Sequence, residues 1–185
     1  MIEQALSREP DLVVNIGSGD GYYATGLALR APKARGVAFD ISHRAQRATT
    51  ALAELNHVSD RLEVRGACEV QTLAQLAAGS QRPFIFCDCE GFEAELFTKD
   101  TVDAYRNTTL IIECHAPKGS DAMRRRLTSV FSDSHNVESI VEGGRNPNEF
   151  PDLRLESSLF RWIAVCEFRP CQMDWLYVFP KQAAT

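Results

Sequence analysis

The sequence predicts an α/β protein built on a mostly parallel, seven-stranded sheet with helices on both faces. Three observations carry that expectation. Short apolar runs bounded by turn residues alternate five times with amphipathic stretches, as successive βα units do when right-handed crossovers cover both sides of a sheet. The run "PFIFCD", residues 83–88, is apolar with almost no interruption, which a strand buried on both faces requires. The first apolar run breaks into the glycine-rich "NIGSGDG", residues 15–21, before helical spacing resumes.

The elements follow in order. "LVVNI" (12–16) is the first strand, and a helix over 20–30 follows it. "GVAFD" (36–40) is the second, leading to a helix over 43–55 with Ser42 as N-cap and Ala45, Ala48, Leu52 and Leu55 on one stripe. "RLEVR" (61–65) and a helix over 68–77 form the third unit. In the fourth, Phe84 and Phe86 face one side of the strand and Ile85 and Cys87 the other, with a helix over 92–106 to follow. "TLIIEC" (109–114) precedes a helix over 120–132 that aligns Met123, Leu127, Val130 and Phe131. Arginines 124–126 then fan around the solvent side of that helix, a solvated face rather than a nucleic-acid patch. "NVESIV" (136–141) reads as a sixth strand. Residues 143–156, rich in glycine, proline and asparagine, form a long loop and a candidate lid over a substrate. Ser157 or Ser158 caps a further helix carrying Leu159, Phe160, Ile163, Ala164 and Phe168, and "DWLYVF" (174–179) is the closing strand.

Composition bounds the function. A chain of 185 residues with 44% apolar content suits a single domain spanning 1–185. A net charge of −5 offers no general attraction to nucleic acid or an anionic membrane, so a small-molecule partner is expected. The opening "MIEQALSREP" lacks the basic start and apolar centre of a signal peptide, so a cytoplasmic protein is expected. Six cysteines are scattered, Cys87 and Cys89 within a stretch that reads as a buried strand, and are expected to be reduced packing residues.

Function points to the end of the first strand. Gly17, Gly19 and Gly21 permit a sharp turn and close approach of a ligand, and the following helix offers free N–H groups. Asp40 ends the second strand 23 residues after Gly17, where a carboxylate can accept hydrogen bonds from both hydroxyls of a ribose. Together they indicate a nucleoside ligand. Two registers remain open. Counted from Gly17, the pattern is G-x-G-x-G followed by Tyr22, which lacks the third glycine of the dinucleotide fingerprint; counted from Gly19, "GDGYYA" fits G-x-G-x-x-A, as a nicotinamide oxidoreductase would. The first puts Gly17 directly after the strand and is preferred. A nucleoside-binding module without catalysis is the third reading.

The chain resembles the class I S-adenosylmethionine-dependent methyltransferases, and within them the FkbM-like branch. "VVNIGSGDGYYATGLAL" is similar to their first motif, "VAFDIS" to the second, "FIFCDCEGFEAELF" to a D-x-E-G-x-E motif and "LIIECHAP" to a fifth-strand E-x-H motif. The resemblance implies a Rossmann-like class I methyltransferase fold and S-adenosylmethionine as cofactor. By position it implies that Gly17, Ser18, Gly19 and Gly21, with Asn15 and Tyr22 beside them, hold the methionine part. Asp40 then binds the ribose, Ile41 packs on the adenine, and Ala67 and Cys68 border its edge. Asn15 stands where an acidic residue is usual. The stretch before the first strand is short, so either the acceptor site is open, or the 143–156 loop or a second subunit of a homo-oligomer closes it.

For chemistry, the acceptor of a methyl group must be held in line with the S–CH₃ bond, and a hydroxyl acceptor must also lose its proton. Asp88 and His115 sit at strand ends where both can face the crevice, and Asp88 also borders the cofactor. His115 is the more natural base, with an ordinary pKa of about 6.5. Glu113, two residues earlier on the same strand face, can orient the imidazole. A divalent metal shared by Glu113, His115, Asp88 and Glu90 is the less favoured arrangement, and no zinc spacing is present. Glu90 and Glu93 can equally serve as acidic charge at a helix start. Arg145, Asn146, Asn148, Arg161 and Trp162 are candidates for recognising a polar acceptor such as a sugar.

Overall fold

The computed structural model describes residues 1–117, 120–169 and 171–181. Its sheet has the order β3-β2-β1-β4-β5-β7-β6, with β1 Leu12–Ile16, β2 Arg35–Phe39, β3 Leu62–Arg65, β4 Pro83–Cys87, β5 Thr109–Cys114, β6 His135–Val141 and β7 Asp174–Pro180. The pairs among β1 to β5 are parallel, whereas β7 runs antiparallel to both β5 and β6. All seven expected strands form.

The helices are α1 Ile2–Leu6, α2 Tyr22–Arg30, α3 His43–Leu55, α4 Val70–Ala78, α5 Glu93–Leu96, α6 Ala122–Phe131 and α7 Ser158–Ala164. The two faces of β4 separate as the sequence alternation requires. Ile85 and Cys87 join a core with Leu73 of α4, Leu96 of α5 and Leu127 of α6. Phe84 and Phe86 join the opposite core with Ala5 of α1 and Leu27 of α2. Fully burying each such large side chain stabilises the fold by roughly 1.5–3 kcal/mol, so the central strands anchor both layers.

Two local expectations fail, besides Phe168, which lies past the end of α7 at φ +54 rather than on it. The helix over 92–106 is broken into α5 and a 3-10 turn, Val102–Tyr105. Phe97 leaves the helix in an extended conformation, and the Thr98 amide donates to Thr101 Oγ1 at 3.4 Å across the reversal. The break brings the Phe97 and Tyr105 rings to 5.5 Å, with Phe131 beside them; along a continuous helix eight residues would separate them by about 12 Å. The second failure is Leu55, which is 75% exposed. Helix α3 instead buries Thr49 and Ala53, because small residues let it approach α2 closely. A Cβ on Gly21 would lie 2.7 Å from Thr49 Cα. The Ser42 cap does form, its Oγ accepting from the Ala45 amide at 3.4 Å. On α6, Leu127, Val130 and Phe131 are buried as expected. The three arginines there are engaged locally, Arg124 with Asp121 and Asp174, Arg125 with Asp121, and Arg126 with the Ala94 carbonyl.

The β6–β7 connection leaves and re-enters the sheet where Val141 pairs with Asp174, level with Cys114 at the end of β5. It therefore rises from the same edge as the glycine turn. Two 3-10 turns, Pro147–Glu149 and Pro151–Leu153, give the 143–156 segment local order. Ser157 caps α7 by accepting from the Phe160 amide. Helix α7 buries no residue, and Leu159, Phe160, Trp162 and Ile163 stay exposed. Among the described residues no helix is long and apolar enough to cross a membrane.

Candidate active site

Strand order reverses between β1 and β4, and the β1–α2 turn lies at that point, where ligands bind in open α/β sheets. Gly17 has φ +77, and a Cβ there would meet the Asp88 carbonyl oxygen at 1.7 Å. Its freedom lets the chain ends of β1 and β4 pass each other. Gly21 is likewise fixed by packing on α3. Gly19, at φ +55 and with no atom within 4 Å of where a Cβ would stand, is the glycine that leaves space for a ligand. Ser18 is buried and turns its hydroxyl to Thr49 Oγ1 at 2.9 Å, so its part in the turn is to pin α2 to α3.

Asp40 lies just past β2 and closes on this turn. One carboxylate oxygen accepts from the Gly19 amide at 2.9 Å and the other from the Ser42 amide at 2.8 Å, while Gln46 donates to the Asp40 carbonyl at 2.8 Å. Each carboxylate oxygen keeps a free lone pair for a diol. Ile41 beside it is 84% exposed, an apolar surface left in water next to the acid. Ala67 is exposed, and Cys68 is half-buried against the first core, its thiol pushed up to about 12 by burial. Tyr22 is exposed and meets Tyr23 edge-to-face. Asn15 is buried in β1, donating to the Phe86 carbonyl at 3.3 Å, and its Oδ1 has no protein partner. A turn with an open glycine, a positioned carboxylate, an exposed apolar neighbour and an orphaned buried acceptor fits a nucleoside bearing an amino group.

The second half of the crevice is a cluster around His115. Imidazole Nδ1 donates to Glu93 Oε1 at 2.7 Å. Nε2 faces Glu90 Oε2 at 3.4 Å, Asp88 Oδ1 at 3.6 Å and Glu113 Oε2 at 3.8 Å. The Glu93 hydrogen bond and the surrounding carboxylates hold the imidazole above its usual pKa, and the same bond keeps Glu93 below its own despite burial. Glu113 is pushed up to about 7 by burial and the neighbouring Asp88 charge, which together outweigh its contact with Arg169.

The residue that orients His115 is Glu93, not Glu113 as the two-residue strand spacing predicts. Beyond Cys114 the chain has left the strand, so the two-residue period no longer controls direction, and Glu93 is carried in by the break after β4. Glu90 at φ +56 and Gly91 at φ +110 make that break. Arg169, which no sequence motif marks, contacts Glu113 and Glu142 and so ties the β6–β7 connection to the cluster. Tyr23 is also unmarked in the sequence; it stacks on Phe86 at 4.3 Å, and the Trp175 ring lies 5.6 Å from Phe86. Among the acceptor candidates, Arg145 pairs with Glu167, Arg161 with Asn148, and Asn146 caps the Asn148 amide, so these residues serve the connection itself. Trp162 remains more than half exposed.

A parallel nucleotide-binding sheet of the dinucleotide type runs 3-2-1-4-5-6, whereas here an antiparallel β7 is inserted between β5 and β6. Solved structures of methyltransferases superimpose on this fold. An O-methyltransferase from Bacillus cereus in complex with S-adenosylhomocysteine matches with a TM-score of 0.64 at 14% identity, over 97% of this chain and 78% of that one. The fold is that of the class I methyltransferases. The O-methyltransferase TomG from Streptomyces achromogenes, involved in tomaymycin synthesis and bound to S-adenosylmethionine, matches equally well, with a TM-score of 0.64 at 14% identity over 96% and 77% of the two chains. A putative precorrin-6Y C5,15-methyltransferase domain from Corynebacterium diphtheriae gives 0.57 at 14% identity over 96% and 92%. No family model and no curated protein matches the sequence.

Proposed function

We propose that the protein is an S-adenosylmethionine-dependent methyltransferase of the FkbM-like branch, transferring a methyl group to a hydroxyl of a small-molecule or sugar-containing acceptor. The observation that carries this reading is the pairing, across one switch-point crevice, of the Gly19–Asp40 turn with the His115 cluster. The turn suits a nucleoside, and the cluster suits removal of a hydroxyl proton. The motifs that suggest the FkbM-like branch, Asp88 to Glu93 and Glu113 to His115, converge in that cluster. The O-methyltransferases among the similar structures favour oxygen as the acceptor atom.

S-adenosylmethionine, when bound, supplies an electrophilic methyl group on a sulfonium. The residues of this chain do the rest. Asp40 accepts from the ribose hydroxyls through the lone pairs its backbone contacts leave free. Asn15 Oδ1 offers a buried acceptor at the base of the turn. Asp88, Glu113 and His115 receive the acceptor's proton as a unit, with Glu93 holding the imidazole in one orientation. Arg169 ties the β6–β7 connection to that side of the crevice through Glu113.

Parallel calorimetric titration with S-adenosylmethionine, S-adenosylhomocysteine and NAD tests the reading. Micromolar binding of the first two without NAD is the expected result. Binding of NAD alone would move the functional register to Gly19 and overturn it.

A further inference from the structure

We infer that Asp88, Glu90 and His115 form a binding site for one divalent first-row cation of the Mn²⁺ type, completed by Glu113. One ligand atom from each of the first three lies within 4.8 Å of the other two, a separation a single ion can close with modest side-chain movement. The imidazole is already prepared: Nδ1 is committed to the fully buried Glu93 at 2.7 Å, which leaves the Nε2 lone pair directed at the carboxylates. A carboxylate behind the imidazole is the arrangement that fixes metal-binding histidines.

An independent observation comes from Glu113. Its side chain is 1% exposed and its Oε2 has no hydrogen-bond partner, yet it points at the same space, 3.8 Å from His115 Nε2. A buried acceptor without a donor is costly, and a cation would satisfy it. Four carboxyl groups converge on one imidazole, while Arg169 is the one guanidinium in contact among the described residues. Glu90 is 86% exposed, so the outer side of the site is open to an ion's water or to a substrate oxygen. An oxygen-rich set with one imidazole favours Mn²⁺ over Mg²⁺, and the absence of thiolates disfavours a structural zinc site. Binding of the ion stands apart from the methyltransferase reading. Its use there rests on that reading: with the ion bound, Asp88 and His115 serve as its ligands, and the ion takes over their part by lowering the pKa of an acceptor hydroxyl and orienting it.

The test uses the full chain, stripped with a chelator and titrated with MnCl₂ while free Mn²⁺ is followed by electron paramagnetic resonance. One ion per chain with a dissociation constant of about 100 µM or tighter is expected. Glu90→Gln, at an exposed position that does not threaten folding, and His115→Gln should each weaken binding at least tenfold; Glu95→Gln, exposed on the neighbouring helix, should not change it. No saturable binding in wild type, or equal binding in both ligand variants, would overturn the site and leave a carboxylate pair sharing a proton. Titration with S-adenosylhomocysteine runs alongside. Mn²⁺ binding without it sustains the metal site and removes the methyltransferase reading, and the converse removes only the metal.

Discussion

The two sides of the crevice are built from different parts of the chain. At the ends of β1 and β2 the surface is main chain: Gly17 passes under the Asp88 carbonyl, Gly19 lies open, and Asp40 is held by two backbone amides. At the ends of β4 and β5 it is side chain: Glu93, Asp88, Glu90 and Glu113 around His115, with Arg169 arriving from a distant connection. A main-chain wall tolerates almost no substitution where backbone meets backbone, because there is no flexible atom to give way. A side-chain wall can be altered one group at a time, and each alteration changes chemistry before it changes the fold.

The largest effect should come from Gly17→Ala. Its Cβ would sit 1.7 Å from a backbone oxygen at φ +77, so overpacking and left-handed strain add to a loss of about 3–5 kcal/mol in urea unfolding. Gly19→Ala, which meets no atom, should lose only about 1 kcal/mol. Equal losses would break the distinction between a packing glycine and a ligand-facing one.

Asp40→Ala should weaken S-adenosylhomocysteine binding by about 10–100-fold, roughly 1.4–2.8 kcal/mol, with Asp40→Asn intermediate. Unchanged affinity would remove the ribose from the β2 end.

On the side-chain wall, Arg169→Gln leaves the buried Glu113 without its guanidinium. A stability loss of about 1–2 kcal/mol is expected, together with faster proteolysis within 143–168 as the connection loses its tie. Unaltered proteolysis would show that the connection is anchored elsewhere.

The smallest effect concerns the other buried histidine. His135 lies at the opposite end of the sheet edge, bonded to the Ser134 hydroxyl and the Tyr105 carbonyl, and burial lowers its pKa, the reverse of His115. Between its folded value and the unfolded value of 6.5 the unfolded chain holds the extra proton. Its contribution is therefore intact above about pH 6.5 and is lost as pH falls below that. Thermal midpoints measured from pH 8 to pH 5 should fall less steeply in His135→Gln than in wild type. Identical slopes would assign the acid sensitivity to the carboxylate cluster.

How much of this was legible depended on range. The alternation of apolar runs and the Phe84/Ile85 face split are local periodicities, and the strands form where they predict. Gly17 and Asp40 were readable because close backbone passage and a strand-end carboxylate leave fixed residue types at fixed spacing. Glu93 was visible as a residue but not in its role, because its direction depends on the break after β4, where Glu90 and Gly91 take positive φ. The partnership of Arg169 with Glu113 spans 56 residues and leaves no periodic trace. Leu55 misled for a related reason: an apolar stripe shows that a helix has a buried face, while the small residues at Thr49 and Ala53 show which face a neighbour can approach.

The sequence by itself determined the strand succession, the two-layer cover and the place of the glycine turn, because backbone hydrogen bonding and side-chain period are properties of neighbouring residues. Only the tertiary structure decided that β7 enters antiparallel between β5 and β6, that four carboxyl groups meet one imidazole, and that α7 stands away from both cores. Those outcomes depend on which distant surfaces exclude water together, and that is a sum over the whole chain.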